Sequence, residues 1–297
     1  MTRTALVFPG QGSQRPGMGA SWVGRPEWEL VASASAALDV DIAHLLLTAG
    51  AEELRPTANA QLATLVVSLM ALAGVQDRVQ VDIVAGHSLG EYTALVAAGA
   101  LGPLEAVRLV SERAAAMQAA CDRSPGTMAA VLGAAKDIVD EACERTTDVW
   151  PANYNGPQHV VISGTASGVA AASTLARELG ARRVLPLAVG GAFHTPLMEA
   201  AADRLRGALQ VAPFRATAIP VVSNVDAREH DDGWADRLQA QLLLPVQWEG
   251  TMQAFRTRGV DMVIECGPGG VLTALGRRVD GLTAMALTGP ADLEALF

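Results

Sequence analysis

The segment Gly86-His87-Ser88-Leu89-Gly90 sets a serine between two glycines. An apolar run, Ile83 to Ala85, leads into it, and a helix-compatible segment, Glu91 to Ala98, follows at once. Strand, sharp turn and helix with G-x-S-x-G at the corner is the pattern of a nucleophile elbow. The glycines let the turn lie close against neighbouring backbone and lift the Ser88 hydroxyl above the sheet edge. The N–H groups at the start of the following helix point toward any anion forming there. The chemistry this allows is capture of an acyl group as an ester on Ser88.

A serine hydroxyl is a poor nucleophile until a base takes its proton. His87 is adjacent in sequence, but neighbours on a turn point different ways. His194, in Gly190-Gly-Ala-Phe-His-Thr-Pro-Leu-Met198, is the better candidate. Glycines before it and Pro196 after it put it on a loop entering a helix, from which a side chain reaches into a cleft. The chain has five histidines, and only this one lies between two such breaker clusters. His44, His159 and His230 are scattered, with no metal-ligand spacing. Cys121, Cys143 and Cys266 form no C-x-x-C pair, so neither a metal site nor a disulfide framework is expected.

The elements that must hold these residues alternate between strand and helix. Thr4–Phe8 reads as a buried strand, and the glycines and prolines of residues 9–18 make a loop after it. Helical composition covers 27–38 and 42–48, and Thr57-Ala-Asn59 is placed to cap a long helix over about 60–76. Pro103 opens a helix over 104–120. Residues 127–132, 148–152, 159–163 and 182–187 read as strands, with helices over 136–145 and 167–179 between them. That order, βαββαβ, is the ferredoxin-like unit. It predicts a small domain, 126–189, inserted into a larger α/β domain made of 1–125 and 190–297. Later strands over 219–222, 261–264 and 282–286 alternate with helices starting near Pro196, Trp234 and Trp248, which predicts a mainly parallel sheet.

Half of the 297 residues are hydrophobic and 18% are charged, as in a globular chain. A net charge of −9 argues against nucleic-acid binding. The N-terminus is too soon broken to be a signal peptide, and the apolar run 62–75 falls short of the roughly 20 residues of a membrane helix. A soluble cytoplasmic protein is expected.

Seven blocks occur in order: Gly10-Gln-Gly-Ser-Gln14, Gly86-His-Ser-Leu-Gly90, Glu112-Arg113, Asn153-Tyr-Asn-Gly156, Ala192-Phe-His-Thr-Pro-Leu-Met198, Pro245-Val-Gln-Trp248 and Glu265-Cys-Gly-Pro-Gly269. In these the chain resembles the malonyl-CoA:acyl carrier protein transacylases of fatty acid and polyketide synthesis, over about residues 4 to 287. The resemblance implies an α/β-hydrolase-like large domain with the ferredoxin-like insert. It implies Ser88 as nucleophile and His194 as its base, with a backbone carbonyl near Gln241 orienting the imidazole and no carboxylate third member. The backbone N–H groups of Gln11 and Leu89 would form the oxyanion hole. Arg113 would pair with the free carboxylate of a malonyl group, although a helix arginine taken alone is more often a surface residue paired with a neighbour such as Glu105 or Glu112. Asn155 and Gln61 would hydrogen-bond near the acyl site, and Phe193 would narrow the space for an α-methyl, favouring malonyl over methylmalonyl.

Malonyl-CoA is then the donor substrate, with no cofactor, and acyl carrier protein is the partner; a monomer with no nucleic-acid or membrane partner is expected. Arg182, Arg183, Arg277 and Arg278 are candidate patches for CoA phosphates or an acidic carrier, or else solvated faces. Two other readings stay open: an acyl hydrolase that clears carrier proteins, and a silent subunit that only docks a carrier. Intact Ser88, His194 and Arg113 weigh against both.

Overall fold

The computed structural model describes residues 2–296. Ten strands form two sheets: β1 (Thr4–Phe8), β2 (Ile83–Gly86), β3 (Thr127–Leu132), β4 (Val149–Gly156), β5 (His159–Gly164), β6 (Arg183–Pro186), β7 (Val221–Val222), β8 (Glu229–His230), β9 (Met262–Cys266) and β10 (Thr283–Leu287). The larger sheet has the order β10-β9-β1-β2-β7-β8. Its strands run parallel except for the edge strand β8. β1 is buried along its whole length, as a central parallel strand must be. Alternation splits its side chains between two cores: Leu6 and Phe8 join the cluster on one face, Ala5 and Val7 the cluster on the other.

The first face is covered by the helices Thr57–Val75, Gly90–Ala97 and Pro103–Arg123, and the second by Trp248–Thr257 and Val271–Gly276. Thr57–Val75 is apolar on all sides. By length and composition alone it would cross a membrane, but 83% of its most apolar stretch is buried inside the fold, so it is the central core helix.

The smaller sheet is antiparallel with the order β4-β5-β3-β6. The helices Lys136–Glu144 and Ala166–Glu178 pack on it around a separate apolar core. This is the ferredoxin-like arrangement. Where the chain leaves and re-enters the larger unit, Gly126 lies against Ala192; a Cβ on Gly126 would sit 2.6 Å from that of Ala192. The two units are also stitched at Val246, whose N–H donates to Ala152 O at 2.9 Å and whose carbonyl accepts from Tyr154 N–H at 2.9 Å.

Several expectations need correction. Thr57 does not cap the long helix: the helix starts at Thr57, and the Thr57 N–H is satisfied by Gln118 Oε1 at 3.0 Å. β4 runs on to Gly156, so Asn155 stands on a strand. Arg182 lies just outside β6. The two-residue β8 and the short helices Ala51–Leu54, Val271–Gly276 and Pro290–Leu296 carry too little apolar pattern to read from sequence.

Candidate active site

β1, β2 and β7 are neighbours in the larger sheet, so the loops leaving their C-terminal ends lie side by side. Those loops carry Gln11, Ser88 and Asn224. The carboxyl edge of a parallel sheet is where α/β folds place their sites.

Ser88 follows β2 with a φ of 53°, in the left-handed region that non-glycine residues avoid. The turn is possible only because its neighbours lack side chains. A Cβ on Gly86 would lie 1.9 Å from the Gly90 carbonyl carbon, and one on Gly90 would lie 2.0 Å from Phe8 O. Asn224 clamps the turn: its Oδ1 accepts from Ser88 N–H at 2.6 Å and its Nδ2 donates to Gly86 O at 2.6 Å.

Ser88 Oγ is 2.8 Å from His194 Nε2. His194 Nδ1 is 2.7 Å from Gln241 O. A carbonyl only accepts, so the ring proton sits on Nδ1 and Nε2 is left free to take the serine proton. His194 is itself left-handed, φ 60°, and buried. Burial, with Arg113 nearby, pushes its pKa down to about 3, so it is a neutral imidazole at physiological pH.

Arg113 is 1% exposed, which excludes the surface pairing with Glu105 or Glu112. Glu105 instead pairs with Arg215. The Arg113 guanidinium donates to Gln61 Oε1 at 2.7 Å, Gln241 Oε1 at 3.0 Å and Ser88 Oγ at 3.1 Å. A cation held against the nucleophile by two neutral amides is placed to meet an anionic acyl group. Gln61 therefore acts on Arg113, and its Nε2 also reaches Gln11 Oε1 at 3.3 Å. The backbone N–H groups of Gln11 and Leu89 find no acceptor among the described residues. Leu89 N–H opens the helix Gly90–Ala97, so these are two free donors beside Ser88.

Asn155 does not contact Ser88 or Arg113; its Oδ1 meets His87 Nε2 at 2.9 Å. His87 also packs against Trp248, ring centroids 5.4 Å apart, and burial lowers its pKa to about 4. It faces away from Ser88 Oγ, as a neighbour on a tight turn does. The Phe193 ring is buried over Gly191 beside Cys121, where a Cβ on Gly191 would meet it at 2.6 Å. Arg182, Arg183, Arg277 and Arg278 are all exposed. Arg183 aligns with Leu132, and Leu132 with His159, across the smaller sheet. His159 and Arg278 line one cleft of about 460 Å³ with Asn155. The three cysteines are buried, and burial raises their thiol pKa values, so none competes as a nucleophile.

Sequence reasoning missed Asn224, Glu91 and the side chain of Gln241. Glu91 Oε1 accepts from Asn224 N–H at 2.8 Å and Oε2 from Gln241 Nε2. The available signals were a Ser223-Asn224 pair directly after a buried strand and a carboxylate directly after the elbow.

Residues 5–284 match the model of the acyl transferase domain. The malonyl CoA-acyl carrier protein transacylase of Salmonella typhimurium is 42% identical over 305 residues, 99% of each chain. That of Bacillus subtilis is 40% identical over 304 residues, 99% of this chain and 96% of the relative. The solved acyl-carrier-protein S-malonyltransferase of Burkholderia pseudomallei superposes with a TM-score of 0.94 at 42% identity, over 99% of both chains. A malonyl-transacylase solved with its type II PKS acyl-carrier protein gives a TM-score of 0.94 at 38% identity, over 99% of this chain and 98% of that one. A serine–histidine dyad on an elbow, an arginine at the nucleophile and full-length similarity at this level agree: the chain belongs to the malonyl CoA-acyl carrier protein transacylases of the acyl transferase family.

Proposed function

We propose that this protein moves a malonyl group from CoA to the phosphopantetheine thiol of an acyl carrier protein through an ester on Ser88. The observation that carries the reading is Arg113, buried and hydrogen-bonded to Ser88 Oγ, beside a base whose tautomer leaves Nε2 free.

Ser88 Oγ attacks the thioester carbonyl and its proton passes to His194 Nε2. The tetrahedral oxyanion is met by the N–H groups of Gln11 and Leu89. The C–S bond breaks, and the CoA sulfur leaves with the proton from His194. The carrier thiol then gives its proton to His194 and attacks the ester; Ser88 recovers the proton as the second tetrahedral species collapses. The substrate carboxylate pairs with Arg113 in both halves. That pairing offsets one cause of the low His194 pKa, so a malonyl group makes its own base stronger.

Phe193 restricts branching at the α-carbon; an apolar pocket discriminates one methyl by about 1–3 kcal/mol. Residues 126–189 act as one inserted domain, which brings Asn155 to His87 beside the site. The exposed Arg182, Arg183, Arg277 and Arg278 receive phosphate or an acidic carrier surface; their exposure supports this reading.

The test compares CoA release from malonyl-CoA with and without a holo acyl carrier protein. Turnover dependent on the carrier, with malonyl recovered on its thiol, is expected. Equal release to water in both arms would establish a hydrolase instead.

A further inference from the structure

Glu91 is a fully buried carboxylate in the first turn of the elbow helix. A carboxylate at a helix N-terminus needs no explanation on a surface, where the helix dipole favours it. Buried, it is costly unless its oxygens are satisfied. No lysine or arginine forms an ion pair with it among the described residues, and it does not cap its own helix. Its oxygens are used on two other segments, the loop after β7 and the end of the helix Trp234–Gln241: Oε1 accepts from Asn224 N–H at 2.8 Å, and Oε2 accepts from Gln241 Nε2.

Both partners continue into the site. Asn224 holds the Ser88 N–H and Gly86 O, so it sets the elbow. Gln241 meets the site through three atoms. Its carbonyl accepts a hydrogen bond from His194 Nδ1–H, its Nε2 also donates to Ser88 O at 2.9 Å, and its Oε1 accepts from Arg113 Nη2. We infer that Glu91 is a positioning residue for the acyl transfer, holding nucleophile, base and the Arg113 clamp in one frame through Asn224 and Gln241. This rests on the malonyl-transfer reading above.

The direction of one amide links Glu91 to the Arg113 clamp. Two acceptors, Glu91 Oε2 and Ser88 O, face the Gln241 amide nitrogen, so Gln241 Oε1 must face Arg113. With a neutral amide at position 91, the oxygen that keeps Asn224 N–H leaves an NH2 donor where Oε2 accepted from Gln241 Nε2. The Gln241 amide then reverses to find a partner and presents N–H groups to the Arg113 guanidinium, donor against donor. Arg113 is displaced from the place where it meets the acyl carboxylate. An uncharged acyl group, which does not use that clamp, is affected less.

Protonating Glu91 in the native protein makes the same change, since a carboxylic acid loses one acceptor. Burial raises the Glu91 pKa to about 7. The groups acting on it are Arg113 from the helix Pro103–Arg123, Tyr92 on its own helix and the neutral Asn224, Ser223 and Gln241; His87 and His194 are the other titratable groups of the site. His87 and His194 are lowered to about 4 and about 3, and Tyr92 is raised. Arginine stays charged throughout, so between about pH 5.5 and 8 only Glu91 changes state in this cluster.

The experiment measures the rate of Ser88 adduct formation from malonyl-CoA and from acetyl-CoA, in wild type and Glu91→Gln, across that pH range. Glu91→Gln is expected to lower the malonyl rate at least about tenfold and the acetyl rate several-fold less. In wild type the malonyl-to-acetyl ratio is expected to fall as the pH drops through about 7, and in Glu91→Gln to stay flat. A variant that keeps the wild-type ratio and pH profile would overturn the inference. If Glu91→Gln does not fold, the wild-type profile decides alone, and a pH-independent ratio would overturn it. A wild type that forms no malonyl adduct would instead overturn the function reading, and this inference with it.

Discussion

Ser88 and His194 meet at 2.8 Å while both are held in left-handed backbone, at φ 53° and 60°. Neither residue type favours that region, and such strain collects where the surrounding structure fixes a functional geometry. Here Asn224 and the bare Gly86 and Gly90 enforce it at the serine. At the histidine, Thr195 does so: its hydroxyl donates to Ala192 O at 2.6 Å and accepts from Leu197 N–H.

Ser88→Gly follows from that strain. Glycine relieves the left-handed cost while adding unfolded-chain entropy, so the net change is expected to be neutral to stabilising by about 1 kcal/mol. Acylation should vanish. Denaturant unfolding checks it, and a loss of more than about 1 kcal/mol would contradict the strained-turn account.

Gly86→Ala and Gly90→Ala should behave in the opposite way. Their added methyl groups would lie 1.9 Å and 2.0 Å from backbone atoms that have nowhere to move. Each is expected to cost about 3 kcal/mol or more, or to prevent folding, read as a fall in melting temperature. Native-like melting of either would reject the tight elbow.

Arg113→Ala should lower the malonyl kcat/KM by about 100-fold, the scale of a lost charge-assisted pair, with a much smaller effect on acetyl-CoA. Because the readout is a ratio of two thioesters on one enzyme sample, a general loss of stability cancels. Equal losses on both would remove the carboxylate clamp.

Acid should destabilise the fold through its buried histidines. The folded pKa values of His194 and His87, about 3 and about 4, lie below the ordinary value of 6.5. The unfolded chain therefore binds protons first. Stability from these groups is complete above pH 6.5 and declines as the pH falls toward the folded values. Glu91 has the opposite sign, its folded pKa raised, so its contribution is present at low pH and is lost as the pH rises through about 7. Unfolding free energy measured against pH, in wild type and in His87→Asn, should show a shallower acid decline in the variant. Identical slopes would contradict a neutral, buried His87.

Much of the architecture could be read from short-range pattern. β1 from Ala5 and β2 are apolar runs, buried throughout, because both faces of a parallel strand are covered. The glycines of the elbow show through because no other residue fits there. Breakers and order in the chain single out Ser88 and His194. What pattern could not show is which polar residues fold inward. Arg113 sits on an amphipathic helix where arginine is ordinarily solvated, and Gln61, Gln241 and Ser88, from other elements, accept its hydrogen bonds in the interior. Glu91, Asn224 and the Gln241 side chain were missed for the same reason: a buried polar network is closed by long-range hydrogen bonds, and no local spacing marks it. Asn155 stands on the extension of β4 and reaches His87, the neighbour of Ser88, a placement no local pattern marks.

The covalent step is tested most directly by mixing the enzyme with malonyl-CoA, weighing the intact protein, mapping the adduct and then adding a holo acyl carrier protein. One malonyl group on Ser88, absent in Ser88→Ala and moved to the carrier thiol on mixing, is the expected result. An adduct that persists in Ser88→Ala, or that the carrier thiol does not discharge, would contradict it.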